Sequence, residues 1–129
     1  MRNPAILLFL TPFFALADDW PTWRADAERS GTTAEKLAPE LHLQWTRELG
    51  PQTSAWSESR LNFDDRHQPI VVGDLMYVAS SRTDSVTAFE VTSGEVVWRF
   101  FANGPVRFAP AHRAGKLYFG SDDGSFYVV

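Results

Sequence analysis

There is no cysteine in these 129 residues. Its absence removes disulfides, thiol nucleophiles and cysteine-ligated zinc in one step. It leaves the compartment open, since an exported protein need not carry disulfides. Basic runs are missing too. Twelve Lys and Arg stand against 16 Asp and Glu for a net charge of −4, which becomes −5 if Arg2 is lost with a leader. A mildly acidic chain with no basic cluster argues against a nucleic-acid or anionic-membrane partner. Nor is there an apolar run long enough for an integral membrane span. About 20 apolar residues are needed, whereas the stretch from Ala5 to Leu16 is shorter and contains Pro12.

That stretch has another use. Arg2 supplies a positive start, Ala5 to Leu16 an apolar middle, and Ala15-Leu16-Ala17 a small-x-small site before Asp18. The pattern predicts a secretory signal peptide over residues 1–17, with the mature chain exported to a periplasmic or extracellular space. A retained anchor is the alternative for the same residues. No cysteine follows the leader, so lipid attachment at an N-terminal cysteine is excluded.

The mature chain carries an internal repeat. Pro69, Met76, Tyr77, Ala79 and Ser80 recur 41 positions later, without a gap, as Pro110, Leu117, Tyr118, Gly120 and Ser121. One residue then drops out of a turn, so that Val86 aligns with Phe126. An earlier echo is L-H-L-Q-W-T-R-E-L, whose Trp45 lies 53 residues before Trp98 of G-E-V-V-W-R-F-F. The excess over 41 fits an insertion between Gly50 and Pro69. A period near 40 residues made of short strands is the mark of propeller blades, each a four-stranded sheet. The competing reading is two unrelated hairpins of a small β-sandwich.

Strand and turn signals divide the chain. Residues 18–40 form a polar lead-in with Trp20 and Trp23, which should pack on a blade, and Thr33 to Leu37 offers one helical turn at most. Residues 41–49 alternate Leu41, Leu43, Trp45 against His42, Gln44, Thr46, as a half-buried strand does, and would be the ring-closing strand of a propeller. Residues 50–68 are the insertion. A complete blade spans 69–101, with strands Pro69 to Val72, Leu75 to Ser80, Ser85 to Val91 and Glu95 to Phe101. An incomplete blade spans 106–129, with strands Val106 to His112, Lys116 to Ser121 and Ser125 to Val129. The run L-M-Y-V-A does not alternate, which suits a sheet covered on both faces. S-F-Y-V-V stops inside a strand, so the sequence reads as the N-terminal part of a longer protein.

Eleven residues, Ala88 to Trp98, read A-F-E-V-T-S-G-E-V-V-W. Gly94 supplies the positive φ that a tight turn needs, Ser93 can bond the turn backbone, and Trp98 brings a large apolar surface. The segment resembles the tryptophan-docking motif A-x-D-x-x-T-G-x-x-x-W of quinoprotein-type (pyrroloquinoline-quinone-like) β-propeller repeats. Ala88, Gly94 and Trp98 match it, while Glu90 and Ser93 stand in for the family's Asp and Thr. The lead-in D-W-P-T-W-R-A-D-A-E-R-S-G is also similar to what precedes the first blade in exported members. The resemblance implies an all-β fold, here a partial propeller of about two antiparallel blades. It also implies that Trp98 stacks between blades, with Ala88 leaving room beside it.

Other constellations are weaker. Asp122-Asp123-Gly124-Ser125 lacks the alternating donors and closing Glu of an EF-hand-like calcium loop and reads as a hairpin turn. Asn62 to His67 gathers Asp64, Asp65, Arg66 and His67 on a loop, where a carboxylate beside a histidine could serve acid–base chemistry. His42 and His112 are too far apart in sequence to suggest a metal pair.

The resemblance leaves two functions in play. One is a non-catalytic exported scaffold, needing no cofactor and binding a protein partner, as the outer-membrane assembly propeller of this family does. The other is the N-terminal part of a periplasmic quinone-dependent alcohol or sugar dehydrogenase, which would hold pyrroloquinoline quinone with calcium in the propeller channel. Such enzymes use calcium ligands and a catalytic aspartate, and many have an adjacent-cysteine pair. No residue of this chain maps onto the ligands or the acid, and there is no cysteine. Fold alone does not decide, and the scaffold is the expectation.

Overall fold

A computed structural model describes residues 18–55 and 66–129. Among these there is no helix. Strands β1 (Ile70–Val72), β2 (Leu75–Ser80), β3 (Ser85–Glu90) and β4 (Val96–Phe101) form one antiparallel sheet in the order β1-β2-β3-β4. Strands β5 (Ala111–Arg113), β6 (Lys116–Gly120) and β7 (Phe126–Val128) form a second, in the order β5-β6-β7. The chain is all-β and built as consecutive meander sheets, as a partial propeller is.

The turns explain why the chain doubles back where it does. Residues 73–74 link β1 to β2 and residues 114–115 link β5 to β6, each a two-residue connection between paired strand ends. Ala114 and Gly115 both have positive φ (51° and 74°), the geometry of a type I′ hairpin, which matches the right-handed twist of its strands.

Register sorts the side chains of the first sheet into two faces. Ile70, Tyr77, Ala88 and Trp98 lie in one row across the four strands, and Ala79, Val86 and Phe100 in the next. This face packs on the second sheet, where Ile70, Tyr77, Ala79, Val86 and Ala88 share a buried core with Val106, Leu117 and Phe119. Large rings complete the contact. Phe100 meets Phe119 and Tyr127 edge-on at 5.8 and 5.4 Å, and Phe119 stacks on Tyr127 at 5.4 Å. The opposite face is closed as well, with Val78, Thr87 and Phe89 buried. The Arg47 guanidinium lies over the Phe89 ring at 6.0 Å. A sheet covered on both sides has no wet face to make polar, which is why β2 does not alternate.

The lead-in is stitched to both sheets. Trp20 and Val71 exchange backbone hydrogen bonds at 2.6 and 3.0 Å, extending the β1 edge by one bridge. The His112 amide donates to the Pro21 carbonyl at 2.7 Å, and the Gly73 amide to Asp19 Oδ1 at 2.8 Å. Trp20 is half-buried, whereas Trp23 is exposed between the Arg24 and Arg29 guanidiniums, 5.7 and 5.6 Å from its ring.

Three local expectations differ from the structure. Residues 41–49 form no strand, and Leu41 and Leu43 face solvent. Alternation prepares a segment for one-sided burial, but a strand also needs a partner edge, and no described strand edge lies beside this one. Thr33 to Leu37 makes no helical turn. The Glu35 amide donates instead to Thr33 Oγ1 at 3.0 Å, a side-chain turn that competes with helix formation. The strand foreseen from Val106 pairs only from Ala111, because Pro110 has no amide hydrogen to give a ladder. The signal peptide at 1–17 and the core of the insertion, including Trp56, lie outside the described residues.

Candidate functional site

The β3–β4 turn is shaped by its own polar groups. Glu90 ends β3, and its carboxylate accepts the Ser93 amide at 2.6 Å and the Thr92 hydroxyl at 2.5 Å. The Gly94 amide donates to the Glu90 carbonyl at 2.8 Å, and the Glu95 amide to Ser93 Oγ at 3.1 Å. The bonds from Ser93 and Thr92 hold the Glu90 carboxyl below the usual glutamate range. Glu90 therefore does the turn-capping work that an Asp could do with a shorter arm.

This turn is a seat. An added Cβ on Gly94 would stand 2.6 Å from Cδ2 and Cε3 of Trp45, so the indole lies directly on the glycine. Trp45 Nε1 donates to the Val91 carbonyl at 2.8 Å. The Arg47 guanidinium donates to the Gly94 carbonyl through both Nε, at 3.1 Å, and Nη2. Sequence reasoning found Trp45 as the counterpart of Trp98 and explained Gly94 by its φ, which is 69°. It missed that one residue meets the other. The signal was the spacing of the two tryptophans, since an outer-strand tryptophan one repeat upstream belongs beside the next turn. Trp98 sits opposite Ala88 across β3 and β4, with its ring 5.7 Å from that of Tyr77. Burial pushes the Tyr77 phenol upward.

A second polar group lies where β2 ends. Gln52 is buried there, donating through Nε2 to the Ala79 carbonyl at 3.1 Å and accepting the Ser81 amide at 2.7 Å. The Thr53 amide donates to Ser81 Oγ at 2.9 Å, and Arg107 Nη1 donates to the Thr53 carbonyl at 2.5 Å. Arg107 Nε also pairs with Asp122 at 2.6 Å. His67 joins this group. Its Nε2 is 3.0 Å from the Gly50 carbonyl, which can only accept, so in the neutral ring Nε2 donates and Nδ1 accepts from Gln52 Nε2 at 3.1 Å. His67 thus ties the two ends of the insertion together, and Gln52 links them to the blade through the Ala79 carbonyl. Arg66 is exposed on the adjoining bend. Asp64 and Asp65 lie outside the described residues, so the four-residue loop cluster is placed only in part.

The remaining expectations can be located. Asp123 caps its hairpin, accepting the Tyr127 hydroxyl at 2.5 Å, the Ser125 amide at 2.7 Å and the Asn103 amide at 3.1 Å, and the Tyr127 bond foremost holds its carboxyl below the usual range. His42 is exposed, and His112 stacks on Tyr77 at 6.4 Å. Among the described residues, no three His, Asp or Glu side chains are grouped to hold a metal ion, and no helix is long and apolar enough to cross a membrane.

Trp45 is thus seated on the glycine of the β3–β4 turn and bonded to that turn's backbone. Residues 17–129 match a family of PQQ-type repeats described as outer membrane protein assembly factor BamB. The chain belongs to that family. No curated protein matches it. Ala88, Glu90, Ser93, Gly94 and Trp98 all lie on the β3–β4 hairpin.

Two outcomes follow. Gly94→Ala should cost about 2–4 kcal/mol in urea unfolding, combining left-handed strain with a clash against a packed ring. Gly115→Ala, at similar φ with no atom within 4 Å of an added Cβ, should cost only about 1–2 kcal/mol from strain. Equal costs would show that Trp45 yields. Glu90, with its carboxyl held low in the folded state, contributes stability that is fully present above the ordinary glutamate range and is lost as pH falls through its lowered folded value. Acid unfolding of Glu90→Gln should accordingly show a shallower loss of stability over that window.

Proposed function

We propose that the protein is an exported, non-catalytic β-propeller module that serves as a scaffold for a protein partner. The observation that carries this reading is that the motif residues are engaged in fold chemistry. Glu90 and Ser93 satisfy their own turn, Gly94 seats Trp45, and His67 and Gln52 bind backbone carbonyls. Residues spent on packing and turn bonds build a rigid disc, and a rigid disc with variable loops is a platform for binding. The match to a family named for outer-membrane protein assembly favours a protein as the bound partner. Export is supported by the Arg2, Ala5 to Leu16 and Ala15-Leu16-Ala17 pattern.

Two measurements test it. Mass spectrometry of the exported protein should find a new terminus at Asp18, and an exported chain still beginning at Met1 would refute cleavage. Titration of the 129-residue chain with pyrroloquinoline quinone and calcium, followed by tryptophan fluorescence, should give no saturable change. Tight 1:1 binding would favour the dehydrogenase reading instead.

A further inference from the structure

Blades radiate from a central channel, so equivalent points of two blades lie far apart at the rim and close together only near the axis. Val71 and His112 are equivalent, 41 residues apart at the middle of β1 and β5. Neighbouring lead-in residues bond to both. Trp20 exchanges two hydrogen bonds with Val71, and the Pro21 carbonyl accepts the His112 amide. Gln68 and Ala109 are a second equivalent pair, and the Ala109 amide donates to Gln68 Oε1 at 3.4 Å. The edges of β1 and β5 that face away from β2 and β6 are therefore the axis side of the two blades.

The lead-in follows that side from one end to the other. Asp19 Oδ1 takes the Gly73 amide at the β1–β2 turn, and Trp20 lies against the middle of β1. Thr22 and Trp23 then share a cleft with Gln68 and Ala109, which precede the two inner strands. Because β1 has only three residues, a segment of five is long enough to run its height. Pro21 suits the crossing between the blades, since it has no amide to satisfy and its carbonyl is already taken. Past Trp23 the chain leaves by a turn, closed by the Ala25 amide on the Thr22 carbonyl at 3.1 Å.

We propose that residues 19–23 are a strap that fills the axis of this propeller from within. The strap takes backbone donors and acceptors that β1 and β5 turn toward the axis, leaving those edges closed to another extended chain. A planar ligand entering the channel would have to displace it. The strap also ties the two blades together at their inner edges, separately from the ring contacts between the sheets. Partners of this protein then meet its faces and not its axis. The inference rests on the propeller geometry of the family and not on the scaffold role, so its failure leaves that role standing.

Cross-linking and hydrogen exchange on the 129-residue chain test it. Trp20→Cys with Val71→Cys replaces a hydrogen-bonded antiparallel pair, whose Cα atoms lie about 5.5 Å apart, within reach of a disulfide. The chain has no other cysteine, so a disulfide within the monomer has one assignment, and it should form in most of the protein. Trp20→Cys with Val97→Cys, on the outer strand β4, should stay reduced. Deleting residues 18–23 should speed exchange of the Val71, Gly73 and His112 amides at least about tenfold, with Val86 and Ala88 in the middle of the sheet changing far less. Saturating pyrroloquinoline quinone with calcium should leave the Val71 and His112 amides of the unchanged chain as slow as before.

Circular dichroism checks that each variant folds. Protection in the unchanged chain is decisive even if none does, because both amides point away from β2 and β6 and bond to the lead-in. A folded first pair that does not cross-link, unprotected Val71 and His112 amides, or a rise in their exchange on adding quinone would each overturn the proposal. Quinone that binds without raising them would count against the scaffold role and leave the strap in place.

Discussion

The contact between the Trp45 indole and Gly94 is the one on which the arrangement of the chain depends. A flat ring can lie against a backbone only where no side chain stands up from it, and the turn must hold that backbone still. Glycine meets the first requirement and the Glu90 carboxylate the second. A buried tryptophan covers about 150–250 Å², worth about 4–6 kcal/mol gross at the usual coefficient. Trp45 is half-buried, so it gains a fraction of this. Its Nε1 bond to Val91 and the Arg47 bonds to Gly94 give direction to what would otherwise be nondirectional adhesion.

Packing between the sheets follows a division of sizes. Ala79 and Ala88 lie in the same cross-strand rows as Phe100 and Trp98, so small residues in the middle of the sheet leave room for large rings near its outer edge. Phe119 and Tyr127 rise from the second sheet to meet Phe100. Elsewhere polar bonds take over. The Gln52, Ser81, Thr53 and Arg107 group leaves no buried side-chain nitrogen or oxygen without a partner among the described residues. An unpaired buried polar group would cost about 1–3 kcal/mol.

Much of the fold was legible because its signals are local. Alternating apolar residues, Gly73-Asp74, Ser93-Gly94 and the 41-residue recurrence place the sheets to within a residue or two at most strand ends. What could not be read depends on partners distant in sequence. The segment around Leu43 carries a strand's pattern but pairs with no strand among the described residues, and Pro110 withholds a ladder bond only once a neighbour is there to need it. Gln52 lies in a polar insertion and gives no sign that it will be buried, because its partners, Ala79 and Ser81, are 27 and 29 residues away. Among the described residues His67 meets the Gly50 carbonyl and the Gln52 amide, contacts that no sequence spacing announces.

The lead-in sets the order in which the molecule can be finished. Trp20 pairs with Val71, Asp19 takes the Gly73 amide, and Pro21 takes that of His112. A chain emerging from the ribosome or a membrane channel N-terminus first must carry these residues unpaired while more than 50 others follow, and Pro21 waits longer still. The first of the described residues to appear are therefore among the last to be secured. Until then the β1 edge stands open, and a chaperone that holds the tryptophan-rich leading segment would also govern when the first sheet closes.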